Sequence, residues 1–303
     1  VESLLRKLHP EFPHEVLRIE VDENPALKKQ YGRRLPVVEI GPYTLESPIE
    51  EVKLKVALGA ARDAESRRPS EEKSPWGLRL NRGLSYFTRH WLAVFNLLVF
   101  LYAGLPFAAP ALMKAGATGP ARVIYTVYSP FCHQLAFRSW FLFGDQIAYP
   151  RELAGTSLEA FGQATGIGEE DYLEARRFLG NEEVGYKVAL CERDIGIYGG
   201  ILLAGILFSF ARGRLKPLPL KFWLLLGIVP IALDGGSQLV SQLNVLPIAA
   251  RESTPFLRSL TGALFGVINV WMAYPHVEET MRETRDSVAA KLAVAAQTSK
   301  ASS

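Results

Sequence analysis

The sequence predicts an all-α transmembrane helical bundle of about four spans, preceded by a small N-terminal α/β domain. Three observations carry this reading. Four segments supply the roughly 20 mostly apolar residues that a spanning helix needs. The composition changes near residue 90, from the mixed pattern of a soluble domain to long apolar runs. Lys and Arg gather at alternate ends of those runs, the pattern that orients a membrane protein. The 49% hydrophobic content of the 303 residues therefore averages two unlike parts. The formal net charge of +3 is too small to argue for nucleic acid. A lipid bilayer is the first expected partner. With two cysteines, Cys132 and Cys191, no disulfide-rich scaffold is implied. Residues 1–30 lack the apolar core of a secretory signal.

The spans fall at about Trp91–Leu112, Ile195–Phe210, Leu218–Val240 and Leu257–Tyr274. Pro106 and Pro110 are expected to bend or end the first, because proline lacks the N–H that continues a helix. The third carries one acid, Asp234. A fifth apolar stretch, Val123–Phe143, is broken by Pro130, His133, Gln134 and Arg138, and reads as an interfacial or re-entrant helix. Arg79, Arg82 and Arg89, then Arg212, Arg214, Lys216 and Lys221, then Arg282, Arg285 and Lys291 mark the cytosolic side. Both termini are thus expected in the cytosol, with the chain in the plasma or inner membrane. Residues 113–194 and 241–256 lie opposite. Within them, 144–194 hold 11 acids against five bases, an acidic insert at about 144–190 in which Ser157–Ala164 and Glu169–Leu179 read as short helices of a folded cap. The domain plan is a cytosolic domain at 1–60, a basic linker and interfacial helix at 61–90, the transmembrane domain at 91–277, and a helical tail at 278–303 that fades into disorder.

In the first domain, Glu15–Val21 alternates like a strand. Asp22 and Asn24 can cap the helix Ala26–Tyr31, with Pro25 in its first turn. Leu35–Ile40 and Tyr43–Leu45 follow as strands and Ile49–Ala60 as a helix. This order resembles the back half of a thioredoxin or glutaredoxin domain, in which the proline opening the second strand, here Pro36, is cis and lies beside the redox cysteines. The sequence departs from that family in having no cysteine before Cys132. Thiol chemistry needs a thiolate, so either the Cys-x-x-Cys lies upstream of Val1 or this partial domain serves as a docking module.

Three polar clusters stand out in the membrane part. The first is Cys132-His133-Gln134 with Arg138-Ser139. The second is Cys191-Glu192-Arg193-Asp194, running into Gly196-Ile197-Tyr198-Gly199-Gly200. The third is Asp234-Gly235-Gly236-Ser237-Gln238, followed by Asn244, Arg258 and Thr261-Gly262. In this order, over about 125–268, they resemble a bacterial and archaeal family of predicted membrane proteins known only as a domain of unknown function. The resemblance implies a shared fold and a shared site but no established activity. The second cysteine of that family's Cys-x-x-Cys is Asp194 here. Topology puts the clusters at one membrane face, where Asp234, Gln238 and Ser241 share a helix side at i, i+4, i+7 and Arg193, Arg138 and Arg258 are available as partners.

Three readings of the cysteine site stay open. Cys132, His133, Cys191 and Asp194 are suitable ligands for zinc or another divalent metal. Cys132 and Cys191 could instead form a disulfide on the oxidising side. Or they are two buried thiols in a polar network that only locks helices together. Gly196-x-x-x-Gly200 and Gly262-x-x-x-Gly266 put small residues on one helix face, which favours close helix packing. There is no phosphate loop, nucleophile elbow, paired-His metalloprotease helix or haem attachment site. The expectation is a non-catalytic accessory subunit associated with other membrane-protein subunits. The alternatives are a membrane redox or metal-dependent enzyme using the Cys/His/Asp site, and a small-solute or ion transporter with Asp234 in its path.

Overall fold

The structure, a computed structural model, describes residues 1–303 except 24, 42, 66–74, 244–248, 302 and 303. The expected cap Asn24, the cluster residue Asn244 and part of the 61–90 linker lie outside the described residues. The chain divides into two compact units, residues 1–91 with 280–303, and residues 92–279.

In the first unit, α1 (Glu2–Leu8) and α3 (Glu51–Glu65) pack on an antiparallel hairpin of β1 (Val37–Ile40) and β2 (Tyr43–Glu46). Their shared core is Leu5, Leu8, Leu54 and Leu58, with Phe12, Val38, Ile40 and Leu45 against it. A short helix, α2 (Pro25–Tyr31), precedes the hairpin, and Pro36 is cis. The expected strand at Glu15–Val21 does not form. Alternation makes a strand only where a neighbour shares its N–H and C=O groups. β1 pairs with β2 alone, and Val16 and Leu17 are left largely exposed.

Among the described residues, four helices are long and apolar enough to cross a membrane. They lie in α4 (Pro75–Lys114), in α8 (Glu192–Ala211), in a third span (Leu220–Gln242), and in a fourth-span helix (Pro255–Ala301). Leu98, Phe100, Leu207, Phe210 and Leu233 on these helices are each more than half exposed, as lipid-facing positions are. Pro106 and Pro110 do not end the first span. The helix continues through both to Lys114, since membrane helices tolerate proline where neighbouring groups take up the freed backbone.

The second and fourth spans meet through their glycines. A Cβ at Gly196 or Gly200 would overlap the carbonyl oxygen of Ser259 or Ala263, and one at Gly262 or Gly266 that of Arg193 or Ile197. Only glycine permits so close a backbone approach. The third span joins them through Trp223, whose Nε1 donates to Asn269 Oδ1 at 3.3 Å. That span contains two π-helical turns, Leu224–Ile228 and Ala232–Gly236, on either side of Pro230. Pro230 has no N–H and crowds the carbonyl four residues back, so the helix widens there.

The cap is not wholly helical, which corrects the all-α expectation. After α5 (Thr118–Tyr128) the helix stops before Pro130, and the rest of the Val123–Phe143 stretch is a turn, a 3₁₀ turn at Ala136–Arg138 and a strand, β3 (Ser139–Leu142). β3 pairs with β5 (Gly185–Cys191), which also takes the short β4 (Gly180–Asn181), in an antiparallel sheet of order β3-β5-β4. The two expected cap helices are shorter than read, α6 (Phe161–Thr165) and α7 (Tyr172–Arg177). Phe137, Phe141, Tyr149, Phe161 and Val184 form the cap's own core. A second cluster of Ala109, Ile124, Tyr125, Tyr128, Ala189 and Leu190 joins α5 and β5 to the end of α4.

Candidate functional site

β5 runs without a break into α8, with Cys191 as the residue between them. This junction fixes Cys191, Glu192, Arg193 and Asp194 in successive directions around the first helical turn. Cys132 arrives from the turn after α5. One ligand atom each from Cys132, Cys191 and Asp194 lie within 4.8 Å of one another. Cys191 Sγ donates to Asp194 Oδ2 at 3.1 Å. The backbone N–H groups of Cys191 and Gln134 point at Cys132 Sγ, at 3.2 and 3.5 Å. The hydrogen bond between the two thiols holds Cys132 below the usual thiol range. The same bond, with burial and the Asp194 carboxylate, pushes Cys191 well above it.

His133 follows Cys132 but is exposed and does not join the cluster. Adjacent residues in a turn point apart, and burial of Cys132 turns its neighbour outward. The cysteines are free thiols, with no disulfide between them. Gln134 takes a left-handed conformation at φ +52° and sends its amide to the carbonyls of Tyr125 and Ala189, at 2.9 and 3.0 Å. It braces the cap and has no part in the acid–arginine network.

That network occupies the ends of the third and fourth spans. The π turn puts Asp234 inside the bundle, 4% exposed, with Gln238 and Ser241 below it on the same buried face. Asp234 accepts from Arg193 Nη2 at 2.6 Å, Arg251 Nη2 at 3.0 Å, Ser253 Oγ at 2.6 Å and Thr261 Oγ1 at 3.5 Å. Arg138 and Arg258 do not reach it. Both turn to Glu252, whose side chain is fully buried. Glu252 accepts from Arg138 Nε at 2.9 Å, from Arg258, and from the amides of Gln238 and Gln242, each at 2.9 Å. Arg151, in the cap, lies 3.5 Å from Glu252 and also pairs with Glu170. Arg258 bridges back to Glu192 at 3.0 Å. A lone carboxylate at membrane depth costs about 2.5–3.5 kcal/mol on insertion scales. Here each buried acid faces at least one guanidinium, so none is left uncompensated inside the bundle.

Glu192, from the second polar cluster, joins the network through Arg258, and Glu252, Arg151 and Arg251 complete it without having been among the expected site residues. Arg251, Glu252 and Ser253 read as a polar loop. A signal for that loop was present in Thr254-Pro255, a capping residue before a proline, which marks the helix start; Thr254 Oγ1 accepts from Leu257 N at 3.2 Å. Such a position aims the preceding residues back at the bundle end.

Residues 183–272 match a family described as Predicted membrane protein (DUF2085). The matched stretch contains Cys191, Asp194, Asp234, Gln238, Glu252, Arg258 and Thr261. Cys132, His133 and Arg138 precede it. An uncharacterised protein of Methanocaldococcus jannaschii is 27% identical over 194 residues, which is 62% of this chain and 92% of that protein. No solved structure matches the chain. The comparisons thus agree with the four apolar helices on a membrane protein, and attach no reaction to it.

Proposed function

We propose that this membrane protein is a non-catalytic accessory subunit whose cap is pinned to its bundle by a zinc-type divalent metal on Cys132, Cys191 and Asp194. The observation that carries this is the convergence of two sulfurs and a carboxylate within 4.8 Å, from segments 59 residues apart in sequence. Thiolate and carboxylate suit zinc, and His133 is not needed for a three-ligand set completed by water or a partner's group. The rest of the site is consumed in ion pairs, which favours a locking role. Asp234 is held by two arginines and a serine, a poor arrangement for an acid in a transport path. The N-terminal hairpin and the helices packed on it suit docking to another subunit. The inside-positive pattern supports an orientation with both termini cytosolic and the cap outside.

The test is elemental analysis of the full chain purified in mild detergent without chelator, with Cys191→Ser as control. One equivalent of zinc is expected in the wild type, and loss of most of it in the variant. Absence of metal in both, with no thermal stabilisation on adding zinc, refutes the metal. A solitary, monodisperse chain on gentle extraction from its native membrane refutes the accessory role.

A second reading rests on the two N–H groups aimed at Cys132 Sγ, which favour a thiolate. The dithiol would then form one S–S bond, passing two electrons and two protons to a two-electron acceptor such as a membrane quinone. Counting alkylatable thiols before and after quinone treatment distinguishes it: two lost thiols support this reading, two retained thiols reject it.

A further inference from the structure

We infer that the groove between α5 and α7 binds the phosphate headgroup of an anionic phospholipid. Arg122, Arg176 and Arg177 line a groove of about 470 Å³ together with Tyr125, Ser129 and Leu173, and no carboxylate lines it. The charge balance here is the opposite of that in the network. Arg138, Arg151, Arg193, Arg251 and Arg258 are each matched to an acid. Among the described residues, Arg122, Arg176 and Arg177 form no ion pair. Arg176 donates only to the Ser129 carbonyl, at 3.2 Å. Behind the groove, Lys187 is fully buried, and its ammonium donates to the carbonyls of Gln134 and Arg176, both at 2.7 Å. Three guanidiniums thus converge in a groove whose lining, among the described residues, supplies no carboxylate. Guanidinium forks match phosphate oxygens in geometry as well as charge.

The position selects a lipid over a free anion. α5 begins four residues after the α4 helix ends at Lys114, at the end of the first span. On the helix side next to Arg122 and Thr126, Val123 and Val127 are 62% and 54% exposed, with Phe131 at 67% nearby. A helix that sets an arginine beside exposed apolar side chains suits the membrane interface, where cationic and apolar groups meet headgroup and acyl chain. There, acyl chains cover the valines while a headgroup phosphate meets the arginines.

The test uses the full chain in lipid nanodiscs of phosphatidylcholine doped with phosphatidylglycerol, or of phosphatidylcholine alone. Retained lipid is read by native mass spectrometry and stability by thermal unfolding. The wild type should retain phosphatidylglycerol selectively and unfold at higher temperature in its presence. The variant Arg122→Gln/Arg177→Gln should retain it at least tenfold less, while unfolding like the wild type in phosphatidylcholine alone. Arg214→Gln/Lys216→Gln, which removes the same charge elsewhere, should leave retention unchanged. Arg177→Lys should keep part of it. Equal retention by wild type and the groove variant overturns the inference. So does stabilisation by millimolar inorganic phosphate equal to that by the lipid, which would make the groove a soluble-anion site.

Discussion

Glu252→Gln should destabilise the bundle by about 3–5 kcal/mol, the range for removing one partner of a buried ion pair. Glu252 has no exposed side-chain surface and meets Arg138, Arg151 and Arg258, two of which are themselves no more than 6% exposed. Glutamine keeps the shape and one oxygen for the amides of Gln238 and Gln242. It removes the charge, and its amide presents donors to guanidiniums that are also donors. Arg258 keeps Glu192 and Arg151 keeps Glu170, while Arg138 is partly open to water, so the cost falls toward the lower end of the range. The matched control is Glu170→Gln. Its carboxylate also pairs with Arg151 but is 82% exposed, and such a pair contributes no more than about 1 kcal/mol. Both variants are measured by equilibrium unfolding in mixed micelles of rising SDS fraction, followed by tryptophan fluorescence. A cost for Glu252→Gln no greater than for Glu170→Gln would refute the network as a stabilising contact between the cap and the spans.

Three further outcomes follow from the same structure. Gly200→Ala should destabilise by about 1–3 kcal/mol through overpacking against the Ala263 carbonyl, whereas Gly199→Ala, with nothing within 4 Å, should be tolerated; the same unfolding assay reads both. Burial lowers the Lys187 ammonium to about 7 from an ordinary 10.5. The unfolded chain then binds more protons between these values, so the contribution of Lys187 rises with pH across that window and is lost as pH falls toward 7. Between pH 7 and 8 the wild type should gain about 1 kcal/mol relative to Lys187→Met, and parallel pH profiles would contradict this. Asp234→Asn, which strips two arginines of their shared acid, should cost more than Ser253→Ala, which removes one hydrogen bond of about 1.5–3 kcal/mol to a charged group. Equal losses would mean that Asp234 is not held as an ion.

The spans were legible because a membrane helix must be long and apolar, a constraint that one segment satisfies alone. The cap sheet was not, because its central strand gives neither sheet signal. Gly185–Cys191 is buried on both faces, so it shows no alternation, and it leads into α8 with no turn residues between them. The Glu15–Val21 segment fails in the opposite way, having the alternation but no partner. The site divides along the same line. Asp234, Gln238 and Ser241 could be grouped from helical spacing, and Gly196, Gly200, Gly262 and Gly266 from their period, since both are properties of one helix. Pairing between elements could not be read. Arg138 and Arg258 were matched to Asp234 because it was the conspicuous intramembrane acid. The structure gives them to Glu252, which sits in a loop of ordinary composition and becomes buried only when the fourth span starts at Pro255 and turns the loop inward. His133 shows the reverse error: it borrowed significance from its neighbour Cys132. What a sequence hides, in this chain, is which way one residue turns when the chain leaves a helix, and in the turn at Cys132 and the loop at Glu252 that direction decides the site.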